Sequence, residues 1–367
     1  MADRALSSDP AVQSQLDRLA ALSPGADILG LERISALLER LGNPERRLPP
    51  VFHVAGTNGK GSTCAFLRAA IEAAGLTAHV YTSPHLVRFN ERIRLAGKLI
   101  GDPELAALLE ETLDRAGDME ISFFEATTAA AFLAFSRQPA DACIVEVGLG
   151  GRLDATNVVP VPAACAIAQL GLDHQQFLGD RIEGIAAEKA GIAKQGVPLV
   201  TLNYPERLAE RIAEAAAAAG AIWMPRGDRW DAIVYRQTLH YRDDRGKLQL
   251  PLPRLHGAHQ AMNSALAVAT LRSQTAVPVR EPALRAAMGW ADWPGRLQRL
   301  APGPLDALLP KGSELWLDGG HNPAAARAIA DFFRGHVPSG RPFHIVLGLL
   351  ANKDAPGVLK PFANRAA

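Results

Sequence analysis

Short apolar runs alternate along this chain with longer stretches in which apolar residues recur every three or four positions. The runs at residues 51–55, 78–81, 142–147, 164–170 and 198–202 are short and apolar on both alternations, the pattern of strands buried on both faces of a parallel sheet. Helical spacing opens the chain at 12–22 and 31–41 and returns at 102–115, 125–136, 181–194 and 205–219. Strand–helix alternation of this kind predicts an α/β fold with a doubly wound, mostly parallel sheet. Residues 231–250 alternate with period two and predict a β-hairpin, turning near 243–246, on an antiparallel extension; 259–271 and 282–289 are again helical. A Pro/Gly-rich connection at 293–312 reads as a hinge to a smaller α/β domain. That domain would hold a strand at 314–318, a helix at 323–334 and a strand at 343–347. The expected division is 1–295 and 296–367, and no internal repeat is evident.

Composition narrows the class. With 367 residues, 48% of them hydrophobic and 21% charged, the chain is an ordinary globular one, too long for one compact core. A net charge of +1 gives no electrostatic footprint for nucleic acid. No apolar stretch approaches the ~20 residues of a membrane span, and the start lacks the layout of a signal peptide. Cys64, Cys143 and Cys165 lie in apolar surroundings without zinc-ligand spacing, which predicts buried thiols and a cytoplasmic protein.

Candidate chemistry gathers at the strand ends. After the first run comes Gly56-Thr-Asn-Gly-Lys-Gly-Ser62, then a helical pattern. Glycines let the backbone approach a ligand, and loop N–H groups with a helix N-terminus make a site for phosphate. Lys60 would reach the β- and γ-phosphates and Ser62 would sit near a metal, although the spacing departs from the common phosphate-loop pattern. The plainer reading, tight packing alone, is opposed by a lysine set among the glycines. Ser83 follows the second strand in a Ser-Pro turn. Glu146 interrupts a buried strand and should meet a cation such as Mg²⁺, unless it lies on a solvated edge. Glycines 148, 150 and 151 follow, with Arg152 and Asp154 placed to meet a substrate's charged or donor groups. His174 closes the next strand as a metal ligand or an ordinary polar residue. Lys189 sits in an apolar, alanine-rich helix, its plain reading a salt bridge to Glu188 or a neighbour. Asn263, Arg296 and Asp318 follow, Asp318 at a strand end before the helix start Asn322-Pro323.

Together these stretches resemble the ATP-dependent Mur ligase superfamily and, within it, the folylpolyglutamate synthases, including the bifunctional dihydrofolate synthase form. The matching pieces are the phosphate loop, Thr82-Ser-Pro-His-Leu86, Glu91-Arg-Ile93, Phe123-Phe-Glu125, Glu146 to Asn157, Asp173-His174, Glu188 to Ile192, Pro294-Gly-Arg296 and Asp318 to Pro323. They run in family order over about residues 28–354. The resemblance implies ATP phosphates on Asn58, Gly59, Lys60, Gly61 and Ser62, and the remainder of the nucleotide on Asn263, Arg296, Asp318 and His321. It implies Mg²⁺ on Ser83 and Glu146, a second Mg²⁺ site at His174, and a carbamylated Lys189 as a further ligand. Lys60, His174 and Lys189 would then be catalytic. Phe123, Phe124, Glu125, Leu153, Asp154 and Ala155 match pterin-binding segments, and Gly30 a further contact, beside Ile28 where the family pattern often has an acid.

The activity implied is ligation of L-glutamate to dihydropteroate or a folate. ATP's γ-phosphoryl passes to a carboxylate, and the acyl phosphate is attacked by the amine of glutamate. A Mur-type ligase of cell-wall precursors and a non-catalytic nucleotide-binding protein are the alternatives. Ending at Ala367, the second domain is expected to be short for the family. A monomer is expected, with a dimer allowed by that short domain.

Overall fold

The computed structural model describes residues 6–22, 29–338 and 340–363. Strands β1 (Val51–Ala55), β2 (Ala78–Tyr81), β3 (Ile93–Leu95), β4 (Lys98–Leu99), β5 (Ala142–Glu146), β6 (Ala164–Ile167), β7 (Pro198–Thr201) and β8 (Ile222–Pro225) form one sheet in the order β4-β3-β2-β5-β1-β6-β7-β8. All five sequence-predicted strands are present and pair in parallel. Three strands of this sheet were not foreseen. β3 and β4 add an antiparallel edge beside β2, and β8 extends the far end in parallel. They escape pattern reading because β4 has two residues, both exposed, and Ile222 of β8 is exposed.

The helices are α1 (Pro10–Leu22), α2 (Glu32–Arg40), α3 (Lys60–Ala73), α4 (Asp102–Ala116), α5 (Phe123–Arg137), α6 (Gln175–Leu178), α7 (Ile182–Ala190), α8 (Glu206–Ala219), α9 (Ala258–Arg272), α10 (Glu281–Trp290), α11 (Pro323–His336) and α12 (Ala355–Leu359). Local sequence fixes their starts. Ser122 and Glu125 exchange hydrogen bonds as a capping box for α5, while Asn322 caps α11 ahead of a proline at its first position. Along β1, Phe52 and Val54 face the core under α3, α9 and α10. Val51 packs into the opposite core with α4 and α5, and Ala55 into the one with α7 and α8. This two-sided burial is why the parallel strands read as unbroken apolar runs.

Residues 230–251 depart from expectation. They form a separate three-stranded antiparallel sheet, β9 (Trp230–Tyr235), β10 (Thr238–Asp243) and β11 (Gly246–Pro251), rather than an extension of the main one. Its inner residues Trp230, Leu239, Tyr241 and Leu250 bury against the α9/α10 face, so the alternation serves one buried side. Beyond the hinge, the strand expected at 314–318 is reduced to β13 (Trp316–Leu317), antiparallel to β12 (Gln298–Arg299). Residues 343–347 are not a strand, because among the described residues no neighbouring strand offers a ladder to their backbone groups. Their apolar residues divide instead: Phe343 and Ile345 pack on the small core of Ala326, Ala330, Val358 and Phe362, whereas Val346 is fully exposed.

Candidate active site

The sheet order reverses around β1, whose neighbours β5 and β6 lead away to opposite sides, and such a switch point opens a crevice at the strands' carboxyl ends. The phosphate-type loop occupies it. Thr57 and Asn58 donate their N–H groups to the Gln169 carbonyl at 2.8 and 3.1 Å, which ties the loop to the end of β6. Gly59 has φ +85°, and a side-chain carbon there would stand 2.5 Å from Asn263 Oδ1. Gly61 presses on the Trp293 ring, 2.7 Å from where a Cβ would lie. Only glycine fits either place, so α9 and the hinge set the loop's shape. Lys60 Nζ donates to the Gly56 and Thr57 carbonyls at 3.1 and 3.4 Å, which holds the ammonium over the loop.

Glu146 ends β5 close by, 4% exposed. Burial pushes its carboxyl above the usual range, while Lys60, the Ser83 amide, Arg296 and Arg92 pull it back. The Ser83 N–H reaches Glu146 Oε2 at 3.3 Å. A buried carboxylate and a serine at one cavity wall form a hard-oxygen donor set, which fits Mg²⁺. Among the described residues no three His, Cys, Asp or Glu side chains form a ready metal cluster, so substrate oxygens would have to complete the shell.

Lys189 on α7 is 5% exposed. Burial, reinforced by Lys60, lowers its pKa to about 7 against the pull of Asp154, Asp173 and Glu188. The salt bridge expected with Glu188 is not made, since Glu188 pairs with Arg152 at 2.8 Å. That pairing also turns Arg152 from the substrate role foreseen for it. His174 precedes α6 with φ +52°, and burial lowers it to about 4, leaving a neutral imidazole able to offer a lone pair.

Its neighbour Asp173 belongs to the same matching sequence piece. Its carboxylate takes Lys353 Nζ at 2.5 Å, His321 Nε2 at 2.8 Å and Asn322 Nδ2 at 3.4 Å. Burial opposes ionisation of Asp173, and these partners outweigh it, holding the group far below the usual carboxylate range. His321 therefore meets a carboxylate here, and α11 is joined to the end of β6. Asp318 is also occupied: it accepts the Leu297 and Gly320 N–H groups at 2.7 and 2.6 Å and so shapes the turn beside Arg296.

On the other wall, Phe123 is buried against Phe89 and beneath the Arg92 guanidinium, which lies 5.5 Å from its ring centroid. Glu125 is committed twice, to Arg33 at 3.0 Å and to the Ser122 N–H at 2.7 Å. Asp154 accepts the Leu149 N–H at 2.7 Å and the Thr156 N–H at 3.0 Å. Burial still pushes Asp154 above its usual range, with those hydrogen bonds and Lys60 opposing. Ile28 lies outside the described residues; Gly30 is at the rim.

Of the site residues named from sequence, all but Gly151 and Arg152 among those described line one cavity of about 1030 Å³. Asp173, Lys353, Arg92 and Gln169 line it as well without having been assigned a role. Asp173 carried a signal, an acid at a strand end. Lys353 carried none, because only the fold brings it across 180 positions to Asp173.

Residues 54–271 match the family model of the Mur ligase middle domain. The Escherichia coli dihydrofolate synthase/folylpolyglutamate synthase is 38% identical over 332 residues, covering 90% of this chain and 74% of that protein. E. coli FolC solved in complex with DHPP and ADP superposes with a TM-score of 0.88 at 35% identity, covering 98% of this chain and 82% of that one. A bifunctional folylpolyglutamate synthase/dihydrofolate synthase solved with Mn, AMPPNP and L-glutamate gives a TM-score of 0.84 at 34% identity, covering 98% and 84%.

Proposed function

Because this chain belongs to the Mur ligase family and, within it, to the folylpolyglutamate/dihydrofolate synthases, we propose the following division of work in its cavity. The chain is an ATP-dependent ligase that adds L-glutamate to dihydropteroate, a folate, or both. Residues 1–295 carry the phosphate loop and pterin wall, and 296–367 supply the smaller part closing over the nucleotide.

The loop N–H groups from Gly59 to Ser62, with Asn58 beside them, cradle the phosphates, and Lys60, already held over the loop, neutralises charge on the oxygens being transferred. Asn263 and Arg296 orient the nucleotide, while Asp318 and His321 support it from the α11 side. Ser83 and Glu146 would hold a divalent cation, with His174 and a carbamylated Lys189 serving a second. Bound there, the cations supply charge neutralisation at the phosphoryl oxygens. Phe123, Phe124, Leu153 and Ala155 offer an apolar wall to a flat ring, and Asp154 an acceptor for its N–H groups. Glu125 holds the α5 end of that wall in place through Arg33 and Ser122. Enclosure between the two parts excludes water that would hydrolyse an acyl phosphate.

The observation that carries this reading is the convergence of Lys60, Glu146 and Lys189 on the cavity that Phe123 and Asp154 also line. The test is release of phosphate from ATP. It should require both L-glutamate and a pteroate or folate acceptor, assayed with dihydropteroate and then tetrahydrofolate. Release that ignores the acceptor would overturn the reading.

A further inference from the structure

Behind Asp154, on the side away from the cavity, lies a polar chain that the proposed mechanism does not use. His53 is in the middle of β1, paired in register with Cys165 of β6, and wholly buried. Its Nε2 is 2.8 Å from Thr156 Oγ1, and its Nδ1 has no hydrogen-bond partner. Thr156, also wholly buried, donates its hydroxyl proton to Asp154 Oδ1 in a very short hydrogen bond and its N–H to the same oxygen. A hydroxyl has one proton, so with that proton on Asp154 the oxygen can only accept from His53. The ring must therefore carry its proton on Nε2. Burial, with Lys194 nearby, lowers the His53 pKa to about 3, which leaves a single ring proton to place.

A histidine in a β-strand between two apolar layers is costly when one nitrogen stays unpaired, and a residue kept under that cost usually serves something specific. From this geometry we infer that His53 and Thr156 are positioning residues: a one-way donor chain, His53 Nε2–H to Thr156 Oγ–H to Asp154 Oδ1, fixes the Asp154 carboxylate to present its other oxygen to the substrate. Oδ1 is filled from behind by two donors, and Oδ2 takes only the Leu149 N–H, leaving acceptor capacity on that oxygen. The substrate edge that meets it must carry N–H donors. The chain also links the strand that ends in the phosphate loop to the acceptor wall, so the two substrates are registered against one rigid element. This inference rests on the reading of Asp154 as a substrate contact.

The experiment compares Thr156→Val with Thr156→Ser, and His53→Met with His53→Gln. Steady-state constants are measured for dihydropteroate and ATP, together with the melting temperature of each variant. Valine and methionine keep volume and remove the donor; serine and glutamine keep a hydroxyl and an N–H. Thr156→Val and His53→Met should raise KM for dihydropteroate about five- to tenfold, the worth of one ordinary hydrogen bond, while KM for ATP stays within roughly twofold. Thr156→Ser and His53→Gln should stay near wild type. Adding His53→Met to Asp154→Asn should produce no further rise, because the chain acts through that carboxylate.

A wild-type KM for dihydropteroate in His53→Met, or equal rises for both substrates, would overturn the inference. Asp154→Asn with an unchanged KM for dihydropteroate would instead overturn the reading of Asp154 itself. Should His53→Met fail to fold, the threonine pair decides, since equal KM values in Thr156→Val and Thr156→Ser would also overturn the chain.

Discussion

The side-chain amides of Asn58 and Asn322 bond to each other in both directions, Asn322 Nδ2 to Asn58 Oδ1 at 2.9 Å and Asn58 Nδ2 to Asn322 Oδ1 at 3.3 Å. One residue belongs to the phosphate-type loop and the other caps α11, so the helix beside the cavity is keyed to the loop that would hold phosphates. Asn322 also accepts the Ala325 N–H at 3.0 Å. Asn322→Asp keeps that cap but turns a carboxylate toward Asn58 Oδ1 and Asp173. Nucleotide affinity should fall about tenfold and the melting temperature should fall with it, because Asn322 is buried and the new charge would face an acceptor and a carboxylate. Titration calorimetry with ADP checks this; an unaltered affinity would show that the pair does not couple the two parts.

Lys60→Ala should leave the fold unchanged, since its ammonium touches only loop carbonyls, yet remove the charge placed for phosphoryl transfer. Glutamate-dependent phosphate release should drop by about 10²–10³ or more. Circular dichroism matching wild type together with full turnover would remove Lys60 from the mechanism.

What sequence disclosed follows the physics of each region. The parallel strands were legible because burial on both faces leaves unbroken apolar runs, and the loop from Gly56 to Ser62 because glycine spacing records backbone shape directly. Glu146 and Lys189 were legible as charges in apolar company. Lys353, Arg33 and Trp293 were not, since each gains its role from a partner 180, 92 and 232 positions away respectively, a relation local pattern cannot carry. Residues 343–347 failed for the converse reason. An apolar, β-prone run becomes a strand only when a neighbour offers a ladder, and a neighbour is a tertiary fact.

Glu146→Gln keeps shape and burial but removes the negative charge. The neutral amide should cost little or even raise stability, because burial already disfavours the carboxylate. Activity should fall about 100-fold at low Mg²⁺ and recover partly at high Mg²⁺. Wild-type rates at low Mg²⁺ would make Glu146 a structural residue.

Lys189 gives a pH signature. A carbamate forms only from a neutral amine, and the folded pKa of about 7 makes that form available near neutrality. Labelled bicarbonate should therefore give a carbamate signal by ¹³C NMR that grows as pH rises through about 7 and is absent in Lys189→Ala. Linkage has the same sign: between about 7 and 10.5 the unfolded chain binds the proton that the folded one has lost, so this residue's contribution to stability rises with pH across that window. No carbamate signal at pH 8 in the unmutated protein would leave Lys189 a buried amine.

The last prediction concerns how evenly the fold is held. Residues 142–146 are buried throughout and paired on both sides, by β2 and by β1. Among the described residues, 343–347 have no strand partner, and their support is a core of four buried residues with a few partly buried ones against it. Opening such a segment exposes little apolar surface, so its amides should exchange through local fluctuations, whereas those of β5 should wait for global unfolding. Because α11 is joined to the first part through Asp173 and Asn58, ADP should slow exchange at 321–336 more than at 343–347. Hydrogen exchange with mass readout decides both points. Equal protection at 343–347 and 142–146 would mean that the aromatic cluster of Trp316, Phe333 and Phe343 stabilises the smaller part far beyond what its buried area provides.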